Sequence, residues 1–75
     1  MKKLFINTKE DVEVEALLLQ IFNTLYSYFR TKNEYPEAIQ MTSSNYLLIQ
    51  DKRPDVIIKE ENDYYILGMK VCLFG

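Results

Sequence analysis

The chain has 75 residues and a formal net charge of −2, and 48% of its residues are hydrophobic. This length and hydrophobic content predict one folded domain over residues 1–75. The absence of histidine removes the commonest general base and metal ligand, and a single cysteine excludes disulfide frameworks and cysteine-rich zinc sites, so no metal or other cofactor is expected. The nearly balanced charge argues against nucleic-acid binding and against an anionic membrane surface.

The first predicted elements are a short strand and a long amphipathic helix. Lys2–Ile6 is rich in strand-forming residues. A helix is expected over Thr8–Lys32, because Thr8 is a good N-cap and the acidic residues after it suit the positive end of the helix dipole. Asn33 is expected to cap the C-terminus in the left-handed conformation, before Tyr35–Pro36 prevents the helix from continuing.

The apolar side chains of the Thr8–Lys32 helix cover roughly 200° of its circumference, whereas a surface helix usually needs about 100°. Val14, Ile21 and Leu25 are expected to face a sheet. A domain this small cannot cover the remaining apolar arc, so the pattern predicts a homo-oligomer, or another protein partner, bound to this helix. The residues expected in that interface are Leu19, Phe22 and Tyr26.

The predicted elements after the long helix are a strand over Ala38–Met41, a short helix from Ser43 to about Gln50, a strand over Val56–Ile58, a hairpin loop at Glu61–Asp63, and one or two strands over Tyr64–Phe74. Gly68 interrupts strand-forming residues, which predicts a bulge, a bend or a positive φ there. This order, β-α-β-α-β-β, predicts an α+β fold with one long amphipathic helix and one short helix packed on a small, mainly antiparallel sheet.

Residues 53–58 (RPDVII) and 64–71 (YYILGMKV) form a pattern that resembles the core hairpin of the PD-(D/E)xK nuclease family. In that family two carboxylates hold a divalent metal and a lysine positions the attacking water. Asp55 matches the first acid, Lys70 matches the lysine, and Glu13 or Glu15 matches an accessory acid. Because Gly68 stands in place of the second acid, the resemblance implies a degenerate nuclease-like domain without activity.

Residues 35–48 (YPEAIQMTSSNYLL) and 66–71 (ILGMKV) form a second pattern: a proline, a short strand ending in a cap, a helix with an early aromatic residue, and a later Leu-Gly stretch. This pattern is similar to one in small tailed-phage and prophage proteins and in a domain of phage capsid proteins. Lys70 replaces the usual proline, and the chain is too short for a capsid subunit. The resemblance implies a phage or mobile-element protein in the host cytoplasm.

The acidic residues near the start of the long helix allow a further interpretation, in which they imitate a phosphate backbone. Glu10, Glu13 and Glu15 would then belong to an inhibitor of a host nucleic-acid-binding defence protein, similar to an anti-CRISPR protein. Helix-dipole preference explains the same residues more simply. The function that we expect from the sequence is a non-catalytic, self-associating protein-interaction module in the cytoplasm, since no apolar run reaches membrane-spanning length.

Overall fold

The computed structural model describes residues 2–6 and 12–74. Its elements in chain order are β1 (Lys3–Phe5), α1 (Val14–Lys32), β2 (Ala38–Thr42), α2 (Ser43–Lys52), a 3-10 turn (Pro54–Val56), β3 (Ile57–Glu60), β4 (Asp63–Ile66) and β5 (Met69–Phe74). The α+β class and the order of the elements are confirmed. The C-terminal segment forms two strands rather than one, and β3 starts one residue later than expected because Pro54 opens a 3-10 turn.

The five strands form one sheet in the order β1-β2-β5-β4-β3. β2 pairs in parallel with both β1 and β5, whereas β4 is antiparallel to both β5 and β3. The sheet is therefore mixed, which corrects the expectation of a mainly antiparallel sheet. α1 returns the chain to the end of the sheet at which β1 began, and this makes β1 and β2 parallel, whereas the two short turns near the C-terminus produce antiparallel hairpins.

The hydrophobic core lies between one face of the sheet and the two helices. α1 contributes Val14, Leu17 and Ile21, and α2 contributes Tyr46 and Ile49. The buried side chains that the sheet and its margin add to this cluster are Leu4, Ile6, Ile39, Met41, Ile66 and Met69. Because one cluster joins both helices to the sheet, α1 and α2 cover the same face.

The two ends of α1 differ in how well the sequence predicts them. Asn33 is left-handed, with φ 57° and ψ 35°, and its backbone N–H donates to the carbonyl of Phe29 at 2.8 Å, as expected. The predicted N-cap, Thr8, lies outside the described residues, and the helix begins only at Val14, after an extended Glu13 that makes no side-chain cap. Val12 packs against the core from non-helical backbone, which favours this later start.

The turn between β4 and β5 contains two residues with positive φ, Leu67 at 52° and Gly68 at 80°. Ile66 pairs with Met69 across it, so the chain reverses in a tight hairpin of the type I′ kind. A bulge, a bend or a positive φ was expected at Gly68, and of these three the positive φ is confirmed; the chain reverses fully instead of bending within one strand.

Candidate interaction surface

The outer flank of α1 carries large apolar side chains that the rest of the described chain leaves uncovered. Leu19 is 60% exposed, Phe22 55%, Tyr26 63% and Phe29 49%. These four residues and the half-buried Leu18 and Leu25 form the outer flank of α1. Contiguous apolar surface of this kind is uncommon on monomeric proteins and marks interaction sites.

The structure divides α1 as the apolar arc predicts. Val14 and Ile21 are buried, and Leu25 is half-buried against the core. The three residues expected in an interface, Leu19, Phe22 and Tyr26, lie on the exposed side. Their part in an interaction stays a prediction.

A groove runs along the outer flank. One part, with a volume of about 310 Å³, is lined by Phe22, Leu25, Tyr26, Phe29 and Tyr35. Its neighbour, of about 500 Å³, lies where α1 faces the 3-10 turn, β3 and the β4–β5 turn. The residues that line this second part are Glu15, Leu18, Phe22, Arg53, Asp55, Val56, Ile58, Leu67 and Gly68. Because Phe22 lines both parts, the two parts form one continuous groove, the α1 groove.

The wall opposite α1 is built by the β4–β5 turn. The hydroxyl of Tyr35 donates a hydrogen bond to the carbonyl oxygen of Leu67, and this bond ties the turn to the loop after α1. Leu67 itself holds a positive φ that leucine rarely adopts. Backbone strain of this kind is often kept at functional surfaces, and Leu67 is one of the residues that line the groove.

The two ends of α1 carry charges of opposite sign. Glu15 lies in the first turn, whereas Arg30 and Lys32 lie in the last turn, with the Arg30 guanidinium 5.7 Å from the centre of the Tyr26 ring. All three charged residues are exposed. α1 itself therefore has an acidic start and a basic end, in the order that the helix dipole favours.

Arg53 and Asp55, which lie beside Glu15 in the groove, form an ion pair with each other. The Arg53 guanidinium donates two hydrogen bonds of 3.1 Å, one to each carboxylate oxygen of Asp55. This bonding lowers the pKa of Asp55 and raises the pKa of Arg53, whose charged form the nearby Glu15 carboxylate also favours. As a bidentate pair, the two groups add little net charge to the groove.

The residues of the nuclease-like pattern are not assembled into a site. Asp55 is engaged by Arg53, and Lys70 lies 3.6 Å from an Asp63 carboxylate oxygen. Lys70 is on β5, which β4 separates from β3, and Gly68 lies in the turn. Within residues 2–6 and 12–74, no group of three acidic, histidine or cysteine side chains is arranged to hold a metal ion.

The acidic residues proposed as a phosphate mimic are only partly placed. Glu10 lies outside the described residues, and Glu13 and Glu15 are exposed at the start of α1. Several other acids are paired with cations. These ion pairs are Glu34 with Lys2, Asp51 with Lys52, Asp55 with Arg53, and Asp63 with Lys70. No feature of the described acids favours the phosphate-mimic interpretation over simple helix-dipole preference.

The sheet face opposite the helices is a second surface, which the sequence reasoning missed. Strand pairing aligns one residue from each strand in a row across this face, in the order Lys3, Ala38, Lys70, Tyr65 and Ile58. Cys72 is half-buried and free, and alternation along β5 places it on this face with Phe74. The alternation in β5, with Lys70 between apolar residues, is the signal that could have revealed the face.

Comparison with known proteins gives no relative: no protein-family model, curated protein or solved structure matches the chain significantly. None of the helices in the described ranges has the length and apolar character needed to cross a membrane.

Proposed function

We propose that this chain is a small, non-catalytic protein-interaction module that associates with itself through the α1 groove. One observation carries the proposal: Leu19, Phe22 and Tyr26 are each more than half exposed on the same helix flank, and that flank continues into an apolar groove. Burying apolar surface is worth about 25 cal/mol per Å², so covering this flank supplies a driving force for association.

The composition of the groove favours a protein partner over a small polar ligand. The part of the groove beside Tyr35 is lined by aromatic and aliphatic side chains alone. In the other part, Arg53 and Asp55 bind each other and so present few free polar groups. An extended groove with aromatic side chains along it is typical of surfaces that receive an amphipathic helix.

The biological setting comes from the sequence resemblance only. A tailed-phage or mobile-element origin, and action in the cytoplasm of a host cell, stay predictions. The alternative function, inhibition of a host nucleic-acid-binding protein by an acidic surface, would engage Glu13 and Glu15 rather than the apolar flank. We favour the apolar flank because its exposed area needs a partner, whereas exposed carboxylates are stable in water.

Sedimentation equilibrium at tens of micromolar tests the proposal. We expect the wild-type chain to be a dimer or larger, and Phe22→Gln to weaken association roughly tenfold or more, because a central aromatic side chain is removed. Glutamine is a good helix former, so α1 should persist, and a circular dichroism melt checks this.

Phe74→Gln is the matched control, because Phe74 is 43% exposed but lies on the opposite face of the sheet. It should leave association unchanged. A monomeric wild type would refute the proposal, and so would association that is lost in Phe74→Gln but kept in Phe22→Gln.

A further inference from the structure

We infer that the occupant of the α1 groove is α1 of a second copy, packed antiparallel to the first across a two-fold axis. The inference rests on the proposed self-association through the groove and adds the identity and direction of the segment that fills it. Three features support it: the spacing of the apolar residues, the position of the charges, and the shape of the groove.

The apolar residues repeat with the spacing of a helix-pairing seam. Leu18, Phe22, Leu25 and Phe29 follow one another at intervals of four, three and four residues, as in a heptad pattern. In an antiparallel pair centred between Asn23 and Thr24, Leu18 of one copy lies level with Phe29 of the other. Phe22 lies level with Leu25 in the same register, so each seam residue meets an apolar residue.

The same register also pairs opposite charges. Glu15 of one copy lies level with Lys32 of the other, and Arg30 is within one helical turn. The two-fold axis produces this contact twice. A parallel pair would instead place Glu15 beside Glu15 and Lys32 beside Lys32. Exposed charges of this kind select orientation and partner more than they add affinity.

The groove has the shape to receive a helix lengthwise. It follows α1 from Glu15 to Phe29, and its far side is formed by Leu67 and Tyr35. A second α1 lying in it would contact the outer flank of the first helix and the β4–β5 turn. An interface built in this way uses the same surface on both copies, as a two-fold dimer requires.

Charge reversal tests the orientation. Glu15→Lys alone and Lys32→Glu alone should each weaken dimerisation several-fold, because each places like charges level with each other. The double variant in one chain should restore the dissociation constant to within about twofold of wild type, since opposite charges would again lie level with each other across the two-fold axis. A urea melt of each variant separates loss of the dimer from loss of the helix.

A parallel dimer predicts a different pattern, in which both single variants and the double variant bind like wild type. That result would overturn the inference but leave the proposed function standing. A monomeric wild-type chain would refute both the inference and the proposed function. A dimer that survives Phe22→Gln would place the interface elsewhere and refute both as well.

A distance measurement gives an independent test. Spin labels at Ala16→Cys, in a Cys72→Ser background, should lie at least about 22 Å apart in the antiparallel dimer, from a rise of 1.5 Å per residue. In a parallel dimer the two labels would lie at the same level without this axial offset, so the distance at position 16 should equal that at position 23, which is on the same side of the helix. Asn23→Cys is the matched control, because it lies near the two-fold axis and should give a short distance in either orientation.

Discussion

The hydroxyl of Tyr35 donates a hydrogen bond to the backbone carbonyl of Leu67, and so joins the loop after α1 to the turn between β4 and β5. A Cβ built on Gly68 would lie 3.9 Å from Cε2 of the same tyrosine, an ordinary packing distance. The hydroxyl of Tyr35 therefore supports the turn, and its ring leaves room for a Cβ at residue 68. Through this contact, Tyr35 keeps Leu67 in the wall of the α1 groove.

Removing the Tyr35 hydroxyl should loosen this turn. We expect Tyr35→Phe to lower the free energy of unfolding by about 0.5–1 kcal/mol, near the lower part of the range for a lost hydrogen bond, because Tyr35 is partly exposed. Urea denaturation measures the change. Tyr26→Phe is the control, since it removes a hydroxyl from another exposed tyrosine; an equal loss in both variants would contradict the assigned role of the bond.

A side chain at residue 68 should lower the free energy of unfolding because of the positive φ, and not because of steric overlap. At φ 80° a β-branched residue is strained, although the nearest atom leaves room for a Cβ. Gly68→Val should therefore destabilise the protein by more than about 1 kcal/mol, whereas Gly68→Asn should cost less, because asparagine tolerates positive φ. Equal urea midpoints for the two variants would show that the strain has been misjudged.

Leu67→Asn should affect folding stability and dimerisation differently. Asparagine is preferred before glycine in this type of hairpin turn, so Leu67→Asn should relieve the strain at φ 52°. The same change removes an apolar side chain from the groove. We expect a chain at least as stable as wild type in urea, per monomer, that dimerises several-fold more weakly. Unchanged dimerisation in sedimentation equilibrium would mean that Leu67 does not form part of the interface.

Stability should fall at alkaline pH partly through Tyr46. Burial raises the pKa of its phenol above the ordinary value of 10.0, and the neighbouring phenol of Tyr64 raises it further. The folded state therefore holds this proton more tightly than the unfolded state. Its contribution is complete below the unfolded pKa and is lost as pH rises through the folded pKa.

Comparison with Tyr46→Phe isolates this effect. Phenylalanine keeps the edge-on contact with the Tyr64 ring, whose centre lies 6.2 Å from that of Tyr46. Between about pH 9 and pH 11, the urea midpoint of wild type should fall more steeply than that of the variant. Parallel curves for the two proteins would contradict the assignment.

The nuclease-like pattern should have no activity. A lone carboxylate binds Mg²⁺ poorly, and Asp55 is already paired with Arg53. We expect no cleavage of plasmid DNA in Mg²⁺ or Mn²⁺. Cleavage that is present in wild type and absent in Asp55→Ala would show that the site has been misread.

The sequence alone was enough for the features that depend on a few neighbouring residues. The left-handed cap at Asn33, the start of α2 at Ser43 and the positive φ at Gly68 are all confirmed. The capping side chain of α2 illustrates why: the hydroxyl oxygen of Thr42 accepts from the N–H of Asn45 only three residues away, at 3.1 Å. Caps and turns of this kind are decided by local geometry.

The start of α1, the mixed sheet and the groove were decided by tertiary structure. β2 pairs with β5, which brings Ile39 beside Val71, and no local pattern identifies that partner. The sequence predicted that the apolar arc of α1 is too wide for one sheet. The packing of the sheet and its turns against the helix decides which flank stays exposed. The same packing places Leu67 opposite that flank. Hydrophobic burial is non-directional, so it favours covering apolar residues without specifying which distant segment covers them.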